Sequence, residues 1–487
     1  MSNIREAGFF NELDDYKSMD IALSLVKTNV PLIDFLIAEV KSHLGLKRIH
    51  KDKYQRALSV LLANLISRNI RGKYQFLGIS LNNNTYVSNR YNRHSIGRDI
   101  VVNIKDVLVD LDYLEFHKGF YDRRLKAASG KISRIKPTQR LEALVDHFNM
   151  RDALVVKHPQ EEIILLKDSD GKLIDYRDSV ETMRMRGNLE AINDQISSTW
   201  NDLYLSDVGL KELNSRLQLD DERQPLDFNS SKLYRVFNNS SFEQGGRFYG
   251  GWWQNIPNKQ DGNKLRHLVR IDNAITKEFD FKAMHPTILY NKAGLEVPAD
   301  DVYTVKGHEH HRDFFKTVFN AMLNAKNKSG LSRSDKLKAK LLDYGVDLTL
   351  LEVINILEDK HKAISDYFYT GIGLTLQKLD SDIAELIMLE CASEGITALP
   401  IHDSMIGKSG HSHRVHEIMI SAYKIHLGDT PKVDQKRLKS HERPVVEILN
   451  PESMFENLKE ERQAYSQFYS RRNTFNLKTV GGSTNVN

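Results

Sequence analysis

Two aspartates stand where a strand can present a carboxylate. Asp280 lies in Thr276-Lys277-Glu278-Phe279-Asp280-Phe281, which reads as a short strand carrying an acid among aromatics. Asp403 lies in TALPIHDSMIGK (397–408), which reads as a tight β-hairpin with His402-Asp403 at its tip. Phosphoryl transfer to a sugar hydroxyl uses two divalent ions roughly 3.5–4 Å apart. Magnesium takes hard oxygen ligands, one or two carboxylates completed by substrate phosphates and water. Two aspartates from separate strands meet that need if the fold brings them together. Between them, Arg312 and Lys316 are four residues apart and share one helix face, which Asn320 extends by a turn. The structural alternatives are a buried strand ending in a solvent-facing Asp and a basic helix face bathed in solvent.

The chain of 487 residues is long enough for two to four domains with ample core. Its net charge is only +4, from 69 Lys and Arg against 65 Asp and Glu, so the local distribution of charge has to decide about nucleic acid. The single cysteine, Cys391, excludes an intrachain disulfide and a cysteine-based zinc site, and its apolar helix face places it in the core. No apolar run approaches the roughly 18 residues that span a bilayer. Met1–Lys17 has no signal-peptide core, which predicts a cytoplasmic protein. Gly407-Lys408-Ser409 lacks the earlier glycine of a P-loop, and His308-Glu309-His310-His311 is not a paired-histidine zinc motif.

Several elements must position these residues. Residues 1–75 read as helical, with Pro31 separating two helices. Ser95 reads as the cap of a helix through Ile96, Ile104 and Leu108. A basic hairpin around Arg123, Arg124, Lys126 and Lys131 follows, and helix plus basic hairpin reads as a winged helix-turn-helix whose wing meets phosphates. EEIILLK and KLIDYR flank the turn Asp168–Gly171, and Asp178 with Glu181 reads as the cap of a long helix. Residues 218–232 read as a linker. Gly245 and Gly246 set a flexible turn before Arg247. Residues 300–375 are mainly helical and basic, and residues 374–394 form one helix ended by Gly395. A last strand is expected after Pro444, then a charged helix from about Glu452 and a disordered end, LKTVGGSTNVN.

The segment GGRFYGGWWQNIP (245–257) resembles the arginine-to-QNIP signature of family A DNA polymerases. Asp280-Phe281-Lys282-Ala283-Met284-His285-Pro286-Thr287-Ile288 resembles polymerase motif A, with wording closer to family B. Ile401-His402-Asp403-Ser404 resembles motif C; family A typically has Glu after this Asp, and Ser404 is nearer the single-subunit phage and mitochondrial RNA polymerases. RDFFKTVFNAMLN (312–324) resembles motif B, without its usual Tyr-Gly ending, which leaves Phe315 or Phe319 as the base-stacking aromatic. Gln377–Ile383 resembles the Q-x(4)-D-I helix of family A. The five signatures stand in order over residues 245–407.

This resemblance implies an α+β fold: a right-hand polymerase palm with an antiparallel sheet, and helical fingers and thumb behind a helical and winged-helix N-terminal region. The expected layout is a helical region 1–75, a winged helix-turn-helix-like domain 76–145, a thumb-like region 146–240, palm and fingers 241–450, and a charged helix and tail 451–487. Asp280 and Asp403 would be catalytic and hold two Mg2+ ions, with Mn2+ as an alternative. Arg312, Lys316, Asn320 and His285 would bind the nucleotide, His285 packing against the sugar's 2′ position. Arg247, Gln254, Gln377 and His402 would bind primer and template. The expected partners are primer-template DNA, nucleoside triphosphates and replication accessory proteins, with no membrane. The expected function is DNA-directed DNA polymerase in a phage, plasmid or other mobile element. A single-subunit RNA polymerase or primase-like enzyme and a non-catalytic replication initiator are the alternatives.

Overall fold

Extended segments, rather than helices, come first among the described residues of the computed structural model, which are 16–21, 23–25, 30–70, 74–86, 90–92, 95–122, 129–151, 153, 155–157, 162–218, 225–228, 230–257, 265–436 and 460–482. Two units divide it, Met1–Glu162 and Ile163–Asn487. The fold is mixed α and β, with largely antiparallel sheets and many helices. Among the described residues no helix is long and apolar enough to cross a membrane.

The first unit corrects the helical reading of its start. Strands β1 (Tyr16–Ser18) and β2 (Leu23–Leu25) stand where helix was expected. Leu23 and Leu25 also fit a period of two, and β2 is fixed by pairing with β8 (Val155–Lys157), far along the chain. Pro31 opens α1 (Pro31–His43) at its first position, where its missing N–H costs no bond. Helix α2 (Lys51–Asn64) packs with it. After β3 (Phe76–Ile79), helix α3 (Arg98–Asp110) is capped by Gly97. Ser95 takes a left-handed φ of 49° instead of capping.

Strands β4 (Leu114–His117), β5 (Phe120–Asp122), β6 (Ser129–Lys131) and β7 (Ser133–Pro137) follow. β4 pairs with β7, and β5 with β6, as one antiparallel arm. β7 also joins β3 in the sheet order β1-β3-β7-β4, so segments on both sides of residue 75 share one sheet. Arg123, Arg124 and Lys126 lie outside the described residues, and Lys131 ends β6. Helix α4 (Gln139–His147) closes this unit's core of Leu36, Leu62, Leu108, Ile135 and Leu141.

In the second unit, β9 (Ile164–Leu166) precedes the expected turn. Asp168 and Gly171 close it with Gly171 at φ 79°, but the returning arm makes only the bridge Lys167–Leu173. β9 pairs instead, in parallel, with β11 (Tyr234–Asn238). Helix α5 (Val180–Ser197) is capped by Ser179, whose hydroxyl takes the Thr182 N–H while Thr182 reaches back. Asp178 pairs with Arg186 instead, at 2.9 Å. Strand β10 (Asn201–Leu203) and helix α6 (Asp207–Gln218) lead to β11 and β12 (Ser241–Tyr249).

The main sheet has the order β10-β13-β14-β16-β15, built with β13 (Val269–Ile271), β14 (Ala274–Phe281), β15 (Ala398–Ile401) and β16 (Ser404–Lys408); β17 (Val433–Lys436) also pairs with β14. Helices α7 (Met284–Lys292), α8 (Arg312–Asn324), α9 (Lys328–Ser332), α10 (Asp335–Asp343) and α11 (Leu350–Lys360) intervene, then α12 (Gly373–Ser393). Cys391 is buried in α12, and Gly395 ends that helix at φ 68°. Helix α13 (Ser412–Leu427) follows the hairpin. Helix α14 (Ser466–Gly482) runs into the segment expected to be disordered, while the strand expected after Pro444 lies outside the described residues.

A buried histidine ties the intervening helices together. His361 Nε2–H donates to the Val302 carbonyl at 2.8 Å, and Nδ1 lies 3.0 Å from the Tyr290 hydroxyl, which can donate to it when the ring is neutral. Burial pulls its pKa down to about 4. The unfolded chain takes up this proton near pH 6.5 and the native ring only near 4, so stability falls as pH drops through that window, by up to about 3 kcal/mol. Urea midpoints at pH 7 and 5 are expected to fall further apart for the wild type than for His361→Gln; equal differences would show that the ring does not set the slope.

Candidate active site

The site grows from β14. Asp280 pairs across the sheet with Ser404 on β16 and with Asp434 on β17. The hairpin β15–β16 turns through His402, at φ 56°, and Asp403. Phe281 N–H reaches the Asp403 carbonyl at 3.4 Å, so the two acidic segments are neighbours. Ser404 Oγ donates to Asp280 Oδ1 at 2.7 Å. Burial, then the negative charges of Asp280 and Asp380, push the Asp403 carboxyl up to about 6, and Arg247 opposes them.

The arginine-to-QNIP segment braces this hairpin. Trp253 is fully buried and its Nε1–H donates to the Pro400 carbonyl at 3.0 Å. Gln254 Nε2 donates to the same carbonyl at 3.1 Å and to Phe248 at 3.0 Å, and its oxygen accepts from Gly251. The Gln254 amide is therefore engaged by backbone and braces the hairpin. Gly245 and Gly246 form a bulge inside β12, not a turn: Val236 pairs with Arg247 but Phe237 with Gly245. Both have positive φ, and a Cβ on Gly246 would stand 2.7 Å from the Phe237 ring and 3.1 Å from Ser381 Oγ on α12.

The bulge aims Arg247 at α12. Its Nε lies 3.2 Å from Asp380 Oδ1 while Nη2 closes on Oδ2. Burial works against the Arg247 charge, but the Asp380 bonds and the charges of Asp380 and Asp403 outweigh it. His285 joins the cluster, with Nε2 2.9 Å from Asp380 Oδ2 and 3.4 Å from Arg247 Nη2. Burial favours the neutral Asp380 acid, and the His285 and Arg247 bonds override it to hold the carboxyl below its usual range. The His285 side chain, 16% exposed, is thus held by hydrogen bonding. His402 is exposed beside Tyr249, and Gln377 is half-buried, its side chain without a hydrogen bond among the described residues.

On α8 the expected face exists. Arg312, Lys316 and Asn320 fall on one side, while Phe314, Phe315, Val318 and Phe319 are fully buried on the other. Phe315 and Phe319 therefore cannot stack on a base; the helix spends its apolar stripe on the core. Arg312 is not free: it forks onto Asp301 at 3.0 and 2.8 Å. Lys316 is exposed over the Tyr303 ring, 5.6 Å from its centre, and among the described residues has no carboxylate partner. Burial and then the Asp403 charge raise the Tyr303 hydroxyl pKa.

Sequence reading missed the partners. Lys436 Nζ lies 2.6 Å from Glu278 Oε1 and 3.3 Å from Asp280 Oδ2. Asp380, Arg235 and Tyr303 were also unforeseen. Glu278 alone carried a signal, since it sits two residues before Asp280 on the same strand face.

Among the described residues no group of three or more His, Cys, Asp or Glu is arranged to hold a metal ion. Asp280 and Asp403 nevertheless offer hard oxygens in a crowd of negative charge that a cation would relieve, and that donor chemistry fits magnesium completed by phosphate and water.

No protein-family model and no curated protein matches the chain. Among solved structures it is similar to the POL domain of Pol1 from M. smegmatis, in complex with DNA primer-template and dNTP. The identity is 13% and the TM-score 0.28, over 82% of this chain and 71% of that one. At that score the likeness carries no argument about fold or activity.

Proposed function

We propose that this chain is a template-directed nucleotidyltransferase, a DNA polymerase whose palm is the main sheet and whose fingers are the helices between β14 and β15. One observation carries the reading: Asp280 on β14 and Asp403 in the turn of the adjoining hairpin are neighbours, with Ser404 paired to Asp280 and the Phe281 N–H reaching the Asp403 carbonyl. In this reading the part of the expected thumb, 146–240, that lies in the second unit, from Ile163 on, acts as a thumb, and the helix and β-arm at 98–137 as a winged module on duplex DNA.

Asp280 and Asp403 would hold divalent ions, which when bound supply charge for activating a primer hydroxyl and stabilising a pyrophosphate leaving group. The chain's own part is positioning. Ser404 fixes one oxygen of Asp280, and the Trp253 and Gln254 braces set the hairpin that carries Asp403. Lys316 meets the triphosphate; Arg312 joins it by exchanging Asp301 for phosphate. Arg247 and His285, held by Asp380, line the sugar side, and the fixed imidazole leaves a 2′-hydroxyl little room. Primer extension on a DNA template, with dNTPs and separately with NTPs, tests this. Extension with dNTPs in the presence of Mg2+ is expected, extension with NTPs alone would favour an RNA polymerase, and none with either would reject the reading.

Lys316→Ala is expected to raise the apparent KM for dNTP or to lower the incorporation rate, by roughly tenfold or more, because a charge-assisted contact to phosphate is lost. Primer-template affinity should change little. Weakened DNA binding with unaltered nucleotide kinetics would make α8 a groove wall.

A further inference from the structure

Lys436 ends β17 beside the two carboxylates, and the register explains why. It pairs with Glu278 on β14, and Asp280, two residues on, faces the same way. Glu278 is buried and salt-bridged to Arg266 at 3.0 Å, so it is a fixed anchor for the ammonium 2.6 Å away. Ser404 Oγ lies 3.2 Å from the same Nζ and donates to Asp280 Oδ1. Both oxygens of Asp280 thus have protein partners, a hydroxyl on one and an ammonium 3.3 Å from the other.

Resting on the reading of Asp280 and Asp403 as divalent-ion ligands, we propose that Lys436 is a positioning residue that acts as a resident counter-charge. It competes with the ion for Asp280 and keeps the nucleotide-free site from loading tightly. A lysine suits this task. Its ammonium is a compact point charge on a flexible stem. It can stay on Glu278 while giving up Asp280, and its side chain is 27% exposed, so the exchange does not strip a buried charge of all its partners. A triphosphate brings enough negative charge to accommodate both the ion and the ammonium. Without it, the ion and the ammonium compete for Asp280. The proposal couples ion entry to nucleotide entry.

The test is direct binding of Mn2+ alone to the full chain, followed by its spin-resonance signal, with and without dNTP. Removing the charge in Lys436→Met should tighten nucleotide-free Mn2+ binding about five- to tenfold, the scale of one charge at this distance in a partly solvated site. Lys436→Arg should stay near the wild type. Glu278→Gln works the other way: freed from its anchor, the ammonium moves wholly onto Asp280 and Mn2+ binding weakens, which keeps the idea testable if Lys436→Met folds poorly. Wild-type binding that is measurable but equal in Lys436→Met and Glu278→Gln would overturn the role of Lys436 and leave the metal reading standing. A failure of Asp403→Asn to reduce wild-type Mn2+ binding would reject the metal reading, and this proposal with it.

Discussion

Asp403→Asn is expected to abolish nucleotide incorporation while raising the melting temperature. In the proposed reading, the loss follows from removing one of the two carboxylates on which ion binding would depend. An effect of several kcal/mol on the transition state amounts to roughly a thousandfold or more in rate. The gain in stability follows from the environment of Asp403. Its carboxyl is raised to about 6 by burial and by the charges of Asp280 and Asp380, so at pH 7 the ionised group opposes folding. Because the native acid binds its proton more readily than the unfolded one, the wild type recovers stability as pH falls from about 6 towards 3.8. Asparagine removes the charge and the pH dependence together, worth about 1–2 kcal/mol at pH 7 once solvent at the open side is allowed for. Asp280→Asn should be equally inactive but gain no stability, because Asp280 is already served by Ser404 and Lys436. Single-turnover incorporation and calorimetric melts at pH 7 and 5 check both. A normally active Asp403→Asn protein removes Asp403 from the site; an inactive but destabilised one means that the carboxylate was holding structure.

The parts of this arrangement that are legible in the sequence are the ones written in local spacing. The polar tip in TALPIHDSMIGK reads as a hairpin, and it forms one. Four-residue spacing puts Arg312 and Lys316 on one face because a helix repeats every 3.6 residues. Local spacing fails where partners are remote. Nothing near Asp380 says that it will meet Arg247, 133 positions earlier, and nothing near Lys436 says that it will stand over Glu278, 158 positions earlier. The same limit misread Leu23–Leu25 as helix, since its partner strand lies beyond residue 150. Cap positions slipped by one or two residues because neighbouring Asp, Ser and Gly are all competent caps, and the approach angle of the chain chooses among them.

Arg235→Met is expected to be the most destabilising single substitution near the site. Arg235 is fully buried on β11. It binds Glu385 at 2.7 Å, Asp382 at 3.0 Å, Ser381 Oγ at 3.0 Å and the Gly246 carbonyl at 2.7 Å. One guanidinium therefore fastens α12 to the bulge of β12. Lys378 keeps Asp382 partly neutralised after the substitution, and Asn188 still donates to Glu385 at 2.9 Å, but Arg184 acts on Glu385 only through its charge, and among the described residues no second cation bonds that carboxylate, whose side chain is 6% exposed. Removing one partner of a buried pair costs about 3–5 kcal/mol because the other charge is left uncompensated. If that charge is the cause, adding Glu385→Gln to Arg235→Met should recover part of the loss, a coupling that two independent packing defects would not show. The same helix carries Asp380, which holds Arg247 and His285, so a loosened α12 should also raise the apparent KM for dNTP before the protein unfolds. Urea denaturation of the two single variants and the double variant decides the matter: additive losses would mean that α12 is seated on β12 by apolar packing, with the ionic cluster incidental to the site.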